Sequence, residues 1–236
     1  MTRPETNHRR IGSFAPLCAA ALLAGCAQTP LVIDAAADAE ITVDGRYEDW
    51  GGRFTRIDGS RSVGLGIAND RADLYLCLVT RDLGVQTLLR RGGFTVWLDP
   101  EGGQRKRIGV RVAPVEGEVE TAVTPRVEIV RDGAEYGYQL ADPTPEGPVD
   151  VKTARSADVV VYEFRLTFEG SLMGGEEGDM RARLTRSGPL GVGVVTDPLT
   201  APPDGPRGGE RPQTIEPLAA WVVTTLSTRA GPSGGG

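Results

Sequence analysis

Apolar and polar residues alternate with period two along much of this chain, and the alternation predicts a succession of short strands. Val63, Leu65 and Ile67 alternate with Gly64, Gly66 and Ala68 before the turn pair Asn69-Asp70, the pattern of a half-buried strand. The next run, Asp73 to Val79, is apolar on both faces, which suits a strand in the middle of a sandwich. From Gly93 to Asp99, Phe94, Val96 and Leu98 share one face and Thr95 and Trp97 the other, and Pro100-Glu101-Gly102-Gly103 ends the run. Ile108, Val110 and Val112 align to pair back as a hairpin. Further strands are predicted at 127–130, 136–140, 159–168 and 221–226. In 159–168, Tyr162, Phe164, Leu166 and Phe168 face one way and Glu163, Arg165 and Thr167 the other. A short helix is predicted near 83–90. No long stretch carries a helical period, and 32 glycines and 17 prolines punctuate the short segments. The class is therefore all-β, a sandwich or a barrel.

Two stretches break the alternation. Residues 198–217 hold six prolines and three glycines and read as a mobile surface loop. Gly-Pro-Ser-Gly-Gly-Gly at the C-terminus cannot pack, so 229–236 reads as disordered. The N-terminal region differs again. Arg9 and Arg10 precede a weakly apolar segment from Ile11 to Leu23, followed by Ala24-Gly25-Cys26. This layout resembles a bacterial lipoprotein signal, 1–25, with Cys26 as the lipidated residue. The segment is too short to span a bilayer, which takes about 20 residues. A thioether-linked diacylglyceryl group and an acyl chain such as palmitate on the freed amine would anchor the protein stably. Residues 26–39 read as a lipidated tether and 40–228 as one β-sandwich domain. Ala27 after Cys26 is not the aspartate that retains many lipoproteins in the inner membrane, so the expected site is the outer membrane, facing the periplasm.

Composition narrows the chemistry further. Cys18 leaves with the signal and Cys26 carries lipid, so Cys77 is the one remaining thiol and no internal disulfide is expected. Loss of residues 1–25 leaves 23 basic against 31 acidic residues, a surface ill-suited to nucleic acid. The sole histidine, His8, lies in the signal. A mature chain without imidazole has no Ser-His-Asp or Cys-His nucleophile pair, no His-ligated zinc and no His-ligated haem. Gly-x-Ser-x-Gly, the phosphate-binding loop motif and Ser-x-x-Lys are missing too, and Gly64-x-Gly66 lacks the third glycine of a dinucleotide fingerprint. A paired-carboxylate hydrolase survives on composition alone, yet no spacing singles out two acids to flank a cleft.

Several short motifs carry a resemblance. Ile41-Thr42-Val43-Asp44-Gly45 with Asp49-Trp50, Asn69 to Leu76, Thr80-Arg81-Asp82, Trp97-Leu98-Asp99-Pro100, and Glu163 in Tyr162 to Phe168 followed by Leu172 together resemble the family 9 carbohydrate-binding-module-like domains, relatives of the DOMON sandwiches. Thr167-Phe168 departs from the Ile-Pro that the family carries at that turn. The resemblance implies an all-β, two-sheet antiparallel β-sandwich of jelly-roll type whose opening motif forms a strand and turn. Sugar-binding members clamp a terminal sugar between two aromatic rings, with bound calcium bracing loops. Trp97 is then the first ligand-binding candidate and Trp221 the second, an exposed indole stacking on a sugar face. Equally, Trp97 packs under a loop and Trp221 fills the sandwich core. Asp44, Asp49, Asp82 and Asp99 lie at turns where oxygen ligands for structural calcium could converge, or where aspartates simply close their own turns. Trp50 is read as plugging one end of the sandwich, Tyr136 and Tyr138 as core, and Cys77 as an inert buried thiol.

Three functional classes follow: a lipid-anchored, non-catalytic binding module for a glycan or another envelope ligand; an assembly lipoprotein that binds another envelope protein through the Pro-rich 198–217 loop, which predicts an apolar surface patch and no concave pocket; and a hydrolase using carboxylates alone. The resemblance favours the first.

Overall fold

The computed structural model describes residues 31–37, 40–59, 61–115, 121–131, 139–141, 143–156, 158–168, 189–200 and 214–226. They form a two-sheet β-sandwich. The larger sheet has seven strands in the spatial order β1 (Leu31–Asp34), β15 (Ala219–Thr225), β12 (Pro189–Thr196), β6 (Phe94–Asp99), β7 (Ile108–Val112), β8 (Val127–Arg131) and β9 (Gln139–Ala141). The smaller runs β10 (Val149–Ser156), β11 (Val159–Thr167), β5 (Asp73–Thr80), β4 (Val63–Asn69), β2 (Ala36–Ala37), with β3 (Thr55–Asp58) also paired to β4. Pairing is antiparallel except at the N-terminus, where β1 runs parallel to β15 and β2 parallel to β4. The stretch read as a tether thus adds a strand to each sheet from residue 31 onward. The ends of the Pro-rich loop also pair, as β13 (Leu199–Thr200) and β14 (Thr214–Ile215).

The period-two pattern sorts side chains between an inner and an outer face. Leu74, Leu76 and Leu78 of β5, Val160, Tyr162, Phe164 and Leu166 of β11, and Val63, Leu65 and Ile67 of β4 meet Phe94, Val96 and Leu98 of β6 and Val192 and Val194 of β12 in one core. Phe94 sets its ring edge-to-face on Tyr162 with centroids 4.8 Å apart, a geometry favoured by the aromatic quadrupole. Each fully buried aliphatic or phenyl side chain here contributes about 1.5–3 kcal/mol.

The predicted helix is present as α1 (Leu83–Thr87), continued by a wider π-type turn, Leu88–Gly92. Asp82 caps it, its Oδ1 accepting the Val85 N–H at 2.9 Å. Gly93 then leaves the turn with φ +72°, and a Cβ there would stand 2.5 Å from the Val112 carbonyl oxygen, so only glycine permits the entry into β6.

Besides β1, β2, β13 and β14, the strands β3, β10 and β12 also go beyond the predicted set. The opening motif departs in the other direction: residues 40–46 pair with no strand. They run across the outer face of the smaller sheet, and this explains why β5 is apolar on both sides. Its outward Tyr75, Cys77 and Val79 are covered by Ile41, Val43, Tyr47, Trp50 and Phe54. Residues 41–54 therefore form a cap, a third layer over half of the sandwich.

The strand predicted at 136–140 is present at Gln139–Ala141. Tyr136, Tyr138, Cys26, the signal segment, residues 201–213 and the 229–236 tail lie outside the described residues.

Candidate functional site

One side chain of the smaller sheet gathers the hydrogen bonds of the cap. Glu163 lies mid-strand in β11 on the outer face, opposite Cys77 of β5 and Lys152 of β10, and is fully buried. Its Oε2 accepts the backbone N–H groups of Asp44, Gly45 and Arg46 at 3.0, 2.8 and 3.1 Å. Its Oε1 accepts the indole N–H of Trp50 at 2.7 Å. Four donors on one carboxylate satisfy a group that would otherwise be costly to bury. Burial still outweighs them and raises the Glu163 pKa from 4.5 to about 7, with the Trp50, Gly45 and Asp44 donors pulling it down.

Trp50 is wholly buried. It does not plug an end of the sandwich but lies flat on the outer face of the smaller sheet, where Gly66 makes room for it: a Cβ on Gly66 would stand 2.6 Å from the indole Cε3. The glycine and alanine side of the Val63 to Ala68 pattern is thus the floor for this ring. Trp50 passes its packing on to Phe54, ring centroids 6.0 Å apart, and Phe54 meets Tyr47 edge-on at 6.4 Å. Burial also pushes the Cys77 thiol well above 9, with the Glu163 and Asp49 charges adding to the shift. An inert thiol follows from this setting.

Beside the clamp the cap leaves a cleft of about 440 Å³, within the range of small-ligand sites. Its floor is a row across three strands, in which Arg56 of β3 pairs with Gly64 of β4 and Gly64 with Val79 of β5. Tyr47 and Phe54 form one wall, and Arg81, one pleat repeat beyond Val79, stands at the far rim. Ser62, Thr80 and Glu48 supply further polar groups. Arg81 pairs with Asp158 at 3.6 Å, both largely exposed. Arg56 is exposed and makes no ion pair with a described residue.

The tryptophans expected to bind ligand lie elsewhere. Trp97 and Trp221 sit on the outer face of the larger sheet, in one transverse row that runs Trp221, Gly193, Trp97, Gly109. Each indole leans over a glycine: a Cβ on Gly193 would stand 2.6 Å from Trp221 Cε2, and one on Gly109 would stand 2.9 Å from Trp97 Cζ3. Trp97 is only 9% exposed, with the Lys106 ammonium 5.7 Å from its ring centroid. Trp221 is half-buried. It does not enter the sandwich core. The two rings stand side by side on one surface and do not face each other across a slot.

The four aspartates proposed for calcium each accept backbone N–H groups of their own loop. Asp44 Oδ1 accepts the Arg46 N–H at 2.9 Å, Asp49 Oδ2 the Thr42 N–H at 2.9 Å, and Asp82 caps α1. Asp99 takes the N–H groups of Glu101 and Arg105 at 3.1 and 2.8 Å. Among the described residues, no three acidic, histidine or cysteine side chains converge to hold a metal ion.

The cleft and Glu163 were missed by sequence reasoning, though the alternation places Glu163 outward between Tyr162 and Phe164. A carboxylate on an apolar strand, paired with a tryptophan in the opening motif, was the available signal.

The chain matches no protein-family model and no curated protein. Among solved structures it is similar to a family 9 carbohydrate-binding module from Caldicellulosiruptor kristjanssonii in complex with cellotriose, with 11% identity and a TM-score of 0.42 over 85% of this chain and 96% of that one. It is likewise similar to a family 9 module from that organism in complex with glucose, with 10% identity and a TM-score of 0.41 over 86% of this chain and 99% of that one.

Proposed function

We propose that this chain is a non-catalytic binding module for a carbohydrate, held at the bacterial envelope by lipid on Cys26, and that the sugar seats in the cleft beside the cap. The cleft carries the reading. It joins an aromatic wall, Tyr47 and Phe54, to a floor lowered by Gly64 and a rim of hydrogen-bonding side chains, the combination that receives the C–H face of a sugar ring while its hydroxyls bond outward. The floor is a β-sheet and the wall is fixed through Phe54, Trp50 and Glu163, so little ordering would be required on binding. Among the described residues that line the cleft, Glu48 is the one carboxylate.

Screening the purified protein against a glycan array, then measuring affinity for any hit with Tyr47→Ala and Trp221→Ala, tests the site. Loss on Tyr47→Ala with Trp221→Ala unchanged is expected. The reverse pattern would move the site to the larger sheet, and binding to no glycan would remove the module reading. Anchoring is tested separately by the mass of the N-terminal peptide from membranes: Cys26 should carry diacylglyceryl and acyl groups, and an unmodified Cys26 would refute it.

A further inference from the structure

Resting on the reading of the cleft as a sugar site, we infer that its ligand is an anionic saccharide, a sugar bearing carboxylate or sulfate groups. The charge arrangement carries this. The chain as a whole is acidic, with 26 basic and 32 acidic residues, yet the described residues that line the cleft include two arginines, Arg56 and Arg81, and one carboxylate, Glu48. Glu48 Oε2 accepts the Tyr47 N–H at 3.0 Å, which ties this carboxylate to the cap and leaves its charge in place.

Other nearby arginines are committed to the fold. Arg53 donates to the Trp50 and Asp49 carbonyls at 2.8 and 3.1 Å, and Arg61 pairs with Asp58 at 3.6 Å. Arg56 has no such acid partner among the described residues. The Arg81–Asp158 pair is 65% and 69% exposed, and a pair so open to water is easily exchanged for a ligand anion. Arg56 and Arg81 stand two strands across and about one pleat repeat along from each other, a backbone separation of about 12 Å by ordinary sheet spacing. A mono- or disaccharide bridges that gap over Gly64 and Val79. Guanidinium forks are suited to carboxylate and sulfate oxygens, which they bind through two parallel N–H donors.

Titration calorimetry on the purified protein tests the inference with four probes: an oligogalacturonate, its methyl-esterified form with the same rings and no charge, a sulfated oligosaccharide, and a cello-oligosaccharide. Expected is binding of the oligogalacturonate or the sulfated probe, at least tenfold tighter than the esterified and cello forms. The tighter of the two identifies the anion. Arg56→Gln should weaken that binding about tenfold without moving the melting temperature, because the side chain is exposed, and raising salt from 50 to 500 mM should weaken it further. Esterified or cello-oligosaccharide binding that equals the anionic probes, or is untouched by Arg56→Gln, would overturn the charge inference and leave the module reading standing. Binding of no probe, together with an empty glycan array, would overturn both.

Discussion

Truncating Glu163 to alanine removes the one acceptor that four donors share. Two of those bonds, from Gly45 and from the Trp50 indole, are buried, whereas those from Asp44 and Arg46 are partly open to water. A buried donor left without its acceptor costs about 1–3 kcal/mol, so the two buried ones together cost about 2–6 kcal/mol, with water serving the others. Against this stands the cost of keeping the carboxylate ionised in a buried place. Its pKa rises from 4.5 to about 7 on folding, so the folded protein holds this proton more tightly than the unfolded chain. Stability from this group is fully present below pH 4.5 and is lost as pH rises through about 7, a loss of roughly 3 kcal/mol. Alanine at 163 has no such dependence. The destabilisation by Glu163→Ala should therefore be about 4 kcal/mol at pH 5 and smaller by roughly 2–3 kcal/mol at pH 8. Urea unfolding of both proteins at the two pH values, followed by tryptophan fluorescence, measures it. A difference below 1 kcal/mol at pH 5 would refute the clamp, and one that grows toward pH 8 would refute the raised pKa of Glu163.

Gly66→Ala drives a methyl to 2.6 Å from the Trp50 ring, and overpacking of this kind should lower stability by about 1–3 kcal/mol and shift the tryptophan emission. Cys77, fully buried with its thiol pKa raised, should resist a thiol-specific reagent at pH 8 in the native state and react promptly in urea. Rapid native labelling would show that the cap opens. Tyr47→Ala should weaken glycan binding about tenfold, while its edge-on contact with Phe54 limits the stability loss to about 1 kcal/mol. Isothermal titration alongside thermal melting separates the two effects.

The strands were readable where one face is strongly apolar and the other polar or small. Those at 63–68, 73–79, 94–99, 108–112 and 159–168 fall within a residue or two of the observed bounds. Strand β12 went unread because its outward positions, Gly191 and Gly193, are glycines in a run that looks like a turn. Their reason is long-range, since Gly193 is small to receive Trp221 from the neighbouring strand. β10 carries Val149, Val151 and Thr153 on its inner face, and the charged Asp150 and Lys152 between them obscure the apolar alternation. The N-terminal stretch looked like a tether because Ala35-Ala36-Ala37 has no pattern of its own. It is ordered by parallel pairing to β15 and β4, partners more than 25 residues away.

The site was harder to read for a related reason. A motif of isoleucine, valine, aspartate, glycine and tryptophan suggests a strand and turn when only its own residues are weighed. In the fold these residues form no ladder, because the hydrogen-bonding demand of the 44–46 backbone is met by a carboxylate more than 110 residues later. Local propensity cannot supply that acceptor. Once Glu163 supplies it, Trp50 covers Gly66 and Cys77, Phe54 leans on Trp50, and Tyr47 on Phe54. The wall of the cleft is the last member of this chain of contacts. Its geometry therefore depends on a buried carboxyl group that touches no lining residue directly, so changes in Glu163 should alter ligand affinity as well as stability, whereas changes in Arg56 should alter affinity alone.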